Sequence, residues 1–370
     1  MSTNPNPTLQ SLTNEGVAIW LDSLRRSWLT DGTLAAWRDQ YVLHGVTTNP
    51  AIFGEAFKTD EYDEQIESLA RDGLDARQIY QEIATQDVRD ACDVLRPVYD
   101  ATHGADGFVS LEVDPDLARD AEKTIEQAVE YHGRVDRPNL MIKIPGTTEC
   151  LPAIEEVLYR GIHVNVTLLF SVEAYDAVLE TWLKAMERRE IEGLSLDVQS
   201  VASFFVSRVD SEVDKRLKGN PQEEALRGKA AIANARAAYA LYKDVRQGDR
   251  FAALHAGGAR PQRPLWASTG VKDPSYSPTK YVDTLVAPET VNTMPLATIE
   301  ATAASDAAIV PHTADLDPTD DLAALKDAGI DLGDVTDLLL TEGIDKFEVP
   351  MNELLATVET KRLAAVGANA

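Results

Sequence analysis

The amino-acid sequence predicts an α/β protein built as a (β/α)8 TIM barrel, with extra helices after the second strand and at the C-terminus. Eight short β-favouring segments follow one another along the chain, and most are separated by helical segments. No Gly-rich nucleotide-binding turn follows any of them, which disfavours the alternative of a doubly wound open sheet. The chain has 370 residues, whereas such barrels typically have roughly 250, and the added helices account for the excess.

The first half of the chain contains four predicted strands. We expect a loosely ordered start over residues 1–15, one helix over 24–40, and two or three helices over 55–100, a stretch too long for one crossover. Two further helices are predicted over 116–131 and 150–160. The four strands are predicted over 17–22, 45–50, 108–114 and 139–147.

The second half continues this alternation up to the seventh strand. The strands are predicted over 163–170, 200–206, 264–269 and 290–295. Helices are predicted over 171–184, 208–217 and 224–246. A loop-rich stretch, with Pro274, Pro278 and Pro288, joins the last two strands. Residues 296–370 read as helices broken at Pro311, Gly329 and Pro350, and the absence of a linker predicts one domain over 1–370.

The composition limits the partners of this protein. The 61 acidic against 35 basic residues give a net charge of −26, which disfavours nucleic acid and anionic membranes. A small phosphorylated substrate needs only one local cationic pocket. Cys92 and Cys150 form neither a disulfide framework nor a metal motif. The sequence has no signal-peptide pattern and no membrane-spanning apolar run, so we expect a cytoplasmic protein.

The fourth strand carries a lysine inside an apolar segment. Because side chains alternate along a strand, Leu140, Ile142 and Ile144 share one face. Met141 and Lys143 share the other face. Burying an ammonium group costs several kcal/mol unless it is paired or loses its proton, and a deprotonated lysine is a nucleophile for carbonyl carbon. A buried ion pair, or a lysine that reaches solvent from the strand end, is the simpler alternative.

Other strands also alternate apolar and polar residues, and we expect their polar faces to point toward the barrel axis. These polar faces are Trp20 and Asp22, Thr47 and Asn49, Ser110 with Glu112 and Asp114, and His163 with Asn165 and Thr167. The opposite faces, Val109 with Leu111 and Val113, and Val164 with Val166 and Leu168, should contact the helices.

Several of these polar residues fall at the C-terminal ends of strands, where barrel enzymes have their active sites. They are Asp22, Asn49, Glu112, Lys143, Asn165 and Thr167. A single Asn or Asp at a strand end is usually a turn or cap residue, but residues from five strands converging on one mouth favour a site. One amine, two carboxylates and neutral donors suit Schiff-base chemistry on a polyhydroxylated carbonyl compound.

With these residues in view, the chain resembles the transaldolases over nearly all of its length. Six segments in this order carry the resemblance: GVTTNP (45–50), SLEVD (110–114), MIKIP (141–145), NVTLLFS (165–171), VASFFVSR (201–208) and WAST (266–269). The resemblance implies a class I aldolase-type barrel that moves a dihydroxyacetone unit between sugar phosphates in the pentose phosphate pathway, without metal or cofactor. The implied donors are sedoheptulose 7-phosphate and fructose 6-phosphate, and the implied acceptors are glyceraldehyde 3-phosphate and erythrose 4-phosphate.

The resemblance also implies catalytic roles. Lys143 would form the imine with the ketose carbonyl. Asp22 would take and return the proton of the hydroxyl group whose carbon–carbon bond breaks. Glu112 and Thr167 would hold and activate the water used in forming and hydrolysing the imine. A protonated imine is an electron sink, and two carboxylates in different surroundings can divide the acid and base roles.

Further residues are implied to bind the substrate. Asn49 and Asn165 would contact its hydroxyl groups, and Arg208 would receive the phosphate with Ser203 and Ser268 nearby.

The chain departs from the better-known branch of the family at one position. A second arginine of that branch lies two residues beyond the position of Ser268, where this chain has Gly270. Lys272 is the available replacement at the phosphate end, with a solvated loop lysine as the alternative. Two other functions stay open: an aldolase related to fructose 6-phosphate aldolase that releases the three-carbon unit, and a non-catalytic sugar-phosphate-binding barrel. A homo-oligomer is also left open.

Overall fold

A computed structural model describes residues 4–367, and within them eight parallel strands close in sequence order into a barrel. The eighth strand pairs with the first, which completes the ring. This confirms the predicted fold. The strands are β1 (Val17–Leu21), β2 (Leu43–Thr47), β3 (Phe108–Glu112), β4 (Leu140–Pro145), β5 (Val164–Leu169), β6 (Ser200–Phe205), β7 (Arg263–Ala267) and β8 (Thr290–Met294).

Seventeen α-helices surround and extend this ring in the described part of the chain. They are α1 (Pro7–Asn14), α2 (Arg26–Thr30), α3 (Thr33–Gln40), α4 (Pro50–Phe57), α5 (Asp63–Arg71), α6 (Ala76–Ala101), α7 (Ala121–Val135), α8 (Leu151–Tyr159), α9 (Val172–Ile191), α10 (Ser207–Leu217), α11 (Glu223–Leu226), α12 (Ala230–Gln247), α13 (Asp249–Ala256), α14 (Lys280–Asp283), α15 (Leu296–Ala303), α16 (Thr319–Asp327) and α17 (Leu332–Gly367). None of the helices within residues 4–367 is both long and apolar enough to cross a membrane.

Two predicted helices are divided. The single helix expected over 24–40 is α2 and α3, separated at Gly32, which adopts a left-handed φ of 80°. The helix expected over 224–246 is α11 and α12, separated at Gly228 with φ 71°. Between β2 and β3 the chain forms three helices, in line with the prediction. The stretch between β7 and β8 contains only the short α14.

The start of the chain is more ordered than its sequence suggests. Pro7 occupies the first turn of α1, and the side chain of Asn6 accepts a hydrogen bond from the backbone N–H of Leu9 at 3.1 Å. Leu9 and Leu12 are fully buried. The expected loose start is therefore wrong for residues 7–14, while residues 1–3 lie outside the described part of the chain.

The barrel interior is filled in layers, as the strand alternation predicts. At its N-terminal end the Trp20 and Phe108 ring centroids are 6.5 Å apart, and His163 lies 5.2 Å from Phe108. Above them, Asn165 donates to Ser110 Oγ at 3.1 Å. The predicted inward orientation is thus confirmed for Trp20, Ser110, His163 and Asn165. The filled lower layers leave the C-terminal end of the barrel for a ligand.

Two residues near strand ends depart from the alternation. Leu168 adopts φ 61°, and the β5–β6 register shifts at this point. Leu168 therefore lies against Gly343 of α17 instead of the ring of helices, with its Cδ2 3.2 Å from the position of an added Cβ. Asp114, predicted to point inward, instead accepts a hydrogen bond from the Tyr131 hydroxyl at 2.9 Å and pairs with Arg77. Leu168 departs because a register shift interrupts the pleating within β5, and Asp114 departs because β3 ends at Glu112.

The predicted break at Pro350 is also wrong, since α17 continues through this residue. A proline inside a helix removes one hydrogen bond, but one face of α17 stays buried at Phe347, Met351, Leu354 and Val358. At one end Arg216 of α10 pairs with Asp334 at 2.6 Å, and near the other end Lys361 pairs with Asp63 of α5. Packing along this face therefore outweighs the proline, and α17 crosses the C-terminal mouth of the barrel.

Candidate active site

Lys143 occupies the centre of the mouth. Its Nζ lies 3.4 Å from Oε2 of Glu112, the residue beside it in the β3–β4 register, and 3.5 Å from the carbonyl oxygen of Thr48. Lys143 is only 5% exposed. The side chain thus points to the barrel axis, as predicted. The 3.4 Å distance is long for a hydrogen bond, so the amine lies near the Glu112 carboxyl group but is only weakly bound to it.

Glu112 is a buried carboxyl group with an altered proton affinity. Burial raises its pKa to about 7, while the Lys143 ammonium lowers it and the negative charge of Asp22 adds to the rise. A carboxyl group with this pKa can both donate and accept a proton near neutral pH. That is the property required of a general acid and base.

Asp22 follows β1 directly and is held by a chain of hydroxyl groups. Thr47 Oγ1 donates to Asp22 Oδ1 at 2.7 Å, and Thr293 Oγ1 lies 2.7 Å from Thr47 Oγ1. The carboxylate is therefore oriented by two neighbouring strands. The prediction missed Thr293, although its pairing with Trp20 in the β1–β8 register places it on the inward face.

Asn165 and Ser203 bind each other just below the mouth. Ser203 Oγ donates to Asn165 Oδ1 at 2.7 Å, and both residues are buried. Thr167, two residues beyond Asn165 on β5, has a buried Oγ1 that finds no hydrogen-bond partner within residues 4–367. An unpartnered buried hydroxyl is costly, and because Thr167 lines the cavity, a water or ligand can satisfy it.

Asn49 has two functions in the fold and the site. Its Oδ1 accepts a hydrogen bond from the Ile52 backbone at 3.1 Å, which caps α4. Asn49 also lines the cavity. The cap and the predicted substrate contact are therefore compatible, because the cap uses only the carbonyl side of the amide.

A cationic end completes the site. The Arg208 guanidinium lies 5.2 Å from the Phe205 ring, and its buried Nη1 has no hydrogen-bond partner among the described residues. Burial lowers the pKa of Arg208, while the charges of Glu342 and Asp22 act in the opposite direction. Ser268, in a left-handed conformation with φ 55°, has its Oγ 3.1 Å from that of Ser207.

These groups surround a cavity of about 170 Å³ at the mouth. Among the predicted site residues, only Glu112 and Asn165 are not on its wall, and both lie directly behind it in contact with wall residues. Its lining residues are Asp22, Thr47, Asn49, Lys143, Thr167, Ser203, Phe205, Arg208, Ala267, Ser268, Gly270, Lys272, Thr293, Pro295 and Phe347.

Lys272 also lines a larger neighbouring cavity of about 490 Å³. It therefore stands where the two cavities meet. Gly270 lies on the wall close to Pro295, whose Cγ would be 3.1 Å from an added Cβ. Sequence reasoning missed Phe347, because nothing in its local sequence indicates that α17 brings it over Lys143. Across residues 4–367, no cluster of three or more His, Cys, Asp or Glu side chains is arranged to hold a metal ion.

Comparison with known proteins agrees with this geometry. A family model described as Transaldolase/Fructose-6-phosphate aldolase matches residues 19–358. The chain belongs to this family. A protein named "Transaldolase" from Saccharopolyspora erythraea is 52% identical, covering 97% of this chain and 98% of the relative. "Transaldolase 2" from Streptomyces coelicolor is 51% identical over 96% and 98%, and "Transaldolase" from Mycolicibacterium smegmatis is 50% identical over 97% and 99%.

The matched region contains the whole candidate active site. The matched region runs from β1 to well within α17, so it includes the barrel and the helix over its mouth. The family description covers both transfer and aldolase activities, and the names of these full-length relatives favour transfer.

Proposed function

We propose that this protein is a transaldolase that acts in the pentose phosphate pathway. It transfers a dihydroxyacetone unit from sedoheptulose 7-phosphate or fructose 6-phosphate to glyceraldehyde 3-phosphate or erythrose 4-phosphate. The observation that carries the proposal is the buried amine of Lys143, 3.4 Å from Glu112 and on the wall of a cavity that Asp22 also lines.

The chemistry begins with the attack of Lys143 Nζ on the ketose carbonyl carbon. Loss of water then gives a protonated imine, which can accept the electron pair of the adjacent carbon–carbon bond. Asp22 takes the proton from the hydroxyl group whose bond breaks, the aldose product leaves, and an enamine stays on Lys143. The enamine then attacks the aldehyde carbon of the acceptor, and hydrolysis releases the new ketose. The imine nitrogen serves as the electron sink, so these steps need no metal.

Glu112 and Thr167 are suited to handle the water in this sequence. A Glu112 pKa of about 7 supports proton exchange with water at neutral pH. The unpartnered hydroxyl of Thr167 supports a role in holding that water. The substrate hydroxyl groups are proposed to contact Asn49 on the cavity wall. They are also proposed to contact Asn165, which lies directly behind the wall and is held there by Ser203.

The phosphate is proposed to bind at the cationic end. Nη1 of Arg208 is buried and has no hydrogen-bond partner among residues 4–367, and an arginine fork matches a phosphate group. Ser268 and Lys272 lie on the same wall, and Lys272 can supply the charge that Gly270 does not.

We also propose a cytoplasmic location and a single domain, and a homo-oligomer is left to be measured. Sugar phosphates are charged and do not cross membranes freely, which supports the first proposal. Cell fractionation, limited proteolysis and light scattering test location, domain organisation and oligomeric state in turn.

The central experiment traps the imine. Borohydride reduction in the presence of fructose 6-phosphate, followed by peptide mass analysis, should give a covalent adduct on Lys143. The matched control is Lys143→Ala, which should form no adduct and should lose several orders of magnitude in turnover because the covalent route is gone. An adduct on Lys272 or Lys280 would contradict the assignment.

Acceptor dependence separates transfer from the aldolase alternative. A transaldolase should turn over fructose 6-phosphate only when an aldose phosphate acceptor is present. Turnover of similar rate without acceptor would favour an aldolase.

A further inference from the structure

Phe347 forms an apolar roof over the reactive amine. Its ring centroid lies 5.6 Å from Lys143 Nζ, and the residue is 9% exposed. The polar contacts of the amine come from Glu112, the last residue of β3, and from the carbonyl group of Thr48, directly after β2. On the side of α17 the amine therefore meets a ring that offers neither a hydrogen-bond donor nor a site for water.

The roof is fixed in place by close packing of α17 on the barrel. At Gly343, one helical turn before Phe347, an added Cβ would lie 3.2 Å from Leu168 and 3.4 Å from the Phe170 ring. Such a close approach suits a glycine. Beyond Phe347, Met351 and Leu354 are buried along the same face. The ring is thus held by contacts on both sides of it along the helix.

We propose that Phe347 determines whether the enamine on Lys143 reacts with an acceptor aldehyde or with water. This inference rests on the proposed imine chemistry at Lys143. Phe347 is therefore a specificity-determining residue. It restricts the access of water to the reacting atoms, whereas other groups carry out the cleavage of the carbon–carbon bond.

The two fates of the enamine differ in what its carbon attacks. In transfer, that carbon forms a bond with the aldehyde carbon, and the aldehyde oxygen receives the proton held by Asp22. In release, the carbon takes a proton from water, the resulting hydroxide adds to the imine carbon, and Asp22 gives its proton to the solvent. The C–N bond then breaks, so that one water is consumed and dihydroxyacetone leaves the free Lys143 amine. No oxidation or reduction occurs on either route.

The ring also has a favourable interaction with the intermediate that precedes the enamine. The imine nitrogen is formed from Nζ, and a protonated imine places its positive charge under the ring face. An aliphatic side chain of similar size would exclude water without this attraction. Leucine and alanine at position 347 therefore separate the two effects.

The test uses fructose 6-phosphate as donor and measures two rates: release of dihydroxyacetone without an acceptor, and transfer with an acceptor. The quantity compared is the ratio of release to transfer. Phe347→Ala should raise this ratio by about one order of magnitude or more, because water gains access to the enamine. Phe347→Leu should keep the ratio close to that of the unmodified protein. Val358→Ala is the matched control, since Val358 is buried on the same helix about 16 Å further along, and should leave the ratio unchanged.

A second measurement needs no variant and covers the case in which Phe347→Ala does not fold. In D₂O the unmodified protein should place deuterium on dihydroxyacetone more slowly than it transfers the three-carbon unit. Exchange faster than transfer overturns the inference, as does an unchanged ratio in Phe347→Ala or an equal rise in Val358→Ala. A different result overturns the proposed function: the unmodified protein would form no borohydride-trapped adduct on Lys143. Failure of the Phe347 inference and failure of the proposed function are therefore distinguishable.

Discussion

The carboxyl group of Glu112 should titrate near neutral pH. Its pKa is about 7 against an ordinary value of 4.5, mainly because the group is buried. At about 1.4 kcal/mol per pH unit, this difference corresponds to roughly 3 kcal/mol. The folded protein therefore keeps a proton on Glu112 over a pH range in which the unfolded chain has lost it.

The sign of the effect on stability follows from this proton count. Between the two pKa values the folded state binds more protons than the unfolded state, so the free energy of unfolding falls as pH rises. The contribution of Glu112 is complete below about pH 4.5 and is lost as pH rises through about 7. From about pH 5.5 to about pH 8 the loss should be roughly 2 kcal/mol.

Urea unfolding of the unmodified protein and of Glu112→Gln across this pH range measures the effect. The difference in unfolding free energy between the two proteins should change by roughly 2 kcal/mol from the acidic to the basic end. Glu126→Gln, at an exposed position of α7, is the matched control and should show a constant difference. Carbon-13 NMR of labelled glutamate side chains gives the Glu112 pKa directly. A value near 4.5, or a constant difference for Glu112→Gln, would refute the reasoning.

Two further predictions concern the phosphate end and the edge of the site. Lys272→Ala should raise KM for phosphorylated donors about tenfold or more, because a charged contact is lost. The kinetics of an unphosphorylated donor should hardly change. Equal effects on both donors would contradict the role of Lys272 beside Arg208. Asp114→Ala should lower the free energy of unfolding by about 1–3 kcal/mol, because Tyr131 and Arg77 lose their partner, while kcat is retained. A large loss of kcat at unchanged stability would instead place Asp114 in the reaction.

Strand alternation accounts for what the sequence predicted well. Lys143, Glu112 and Thr167 lie on inward faces at the C-terminal ends of strands, and their positions depend only on the period of a strand and on the closure of the barrel. Asp114 shows the limit of this reasoning, because the strand ends at Glu112 and the next residues no longer alternate.

The covering helix could not be predicted in the same way. The position of Phe347 depends on contacts between residues distant in sequence, and Pro350 suggested that the helix would end. Only the completed packing of one face of α17 shows that the helix continues. At Pro350 the packing of the helix outweighs the low helix propensity of proline.

The distribution of satisfied and unsatisfied polar groups explains why the site lies at the mouth. Lower in the barrel, Asn165 is bound by Ser110 and Ser203, so this layer stabilises the fold and fixes the orientation of the Asn165 amide. At the mouth, Thr167 Oγ1 and Arg208 Nη1 are buried without a partner among residues 4–367, and both residues line the cavity. Buried polar groups of this kind require a partner, and those on a cavity wall can take it from water or from a ligand. A substrate with hydroxyl and phosphate oxygens can replace that water, so these groups favour a phosphorylated sugar at the mouth.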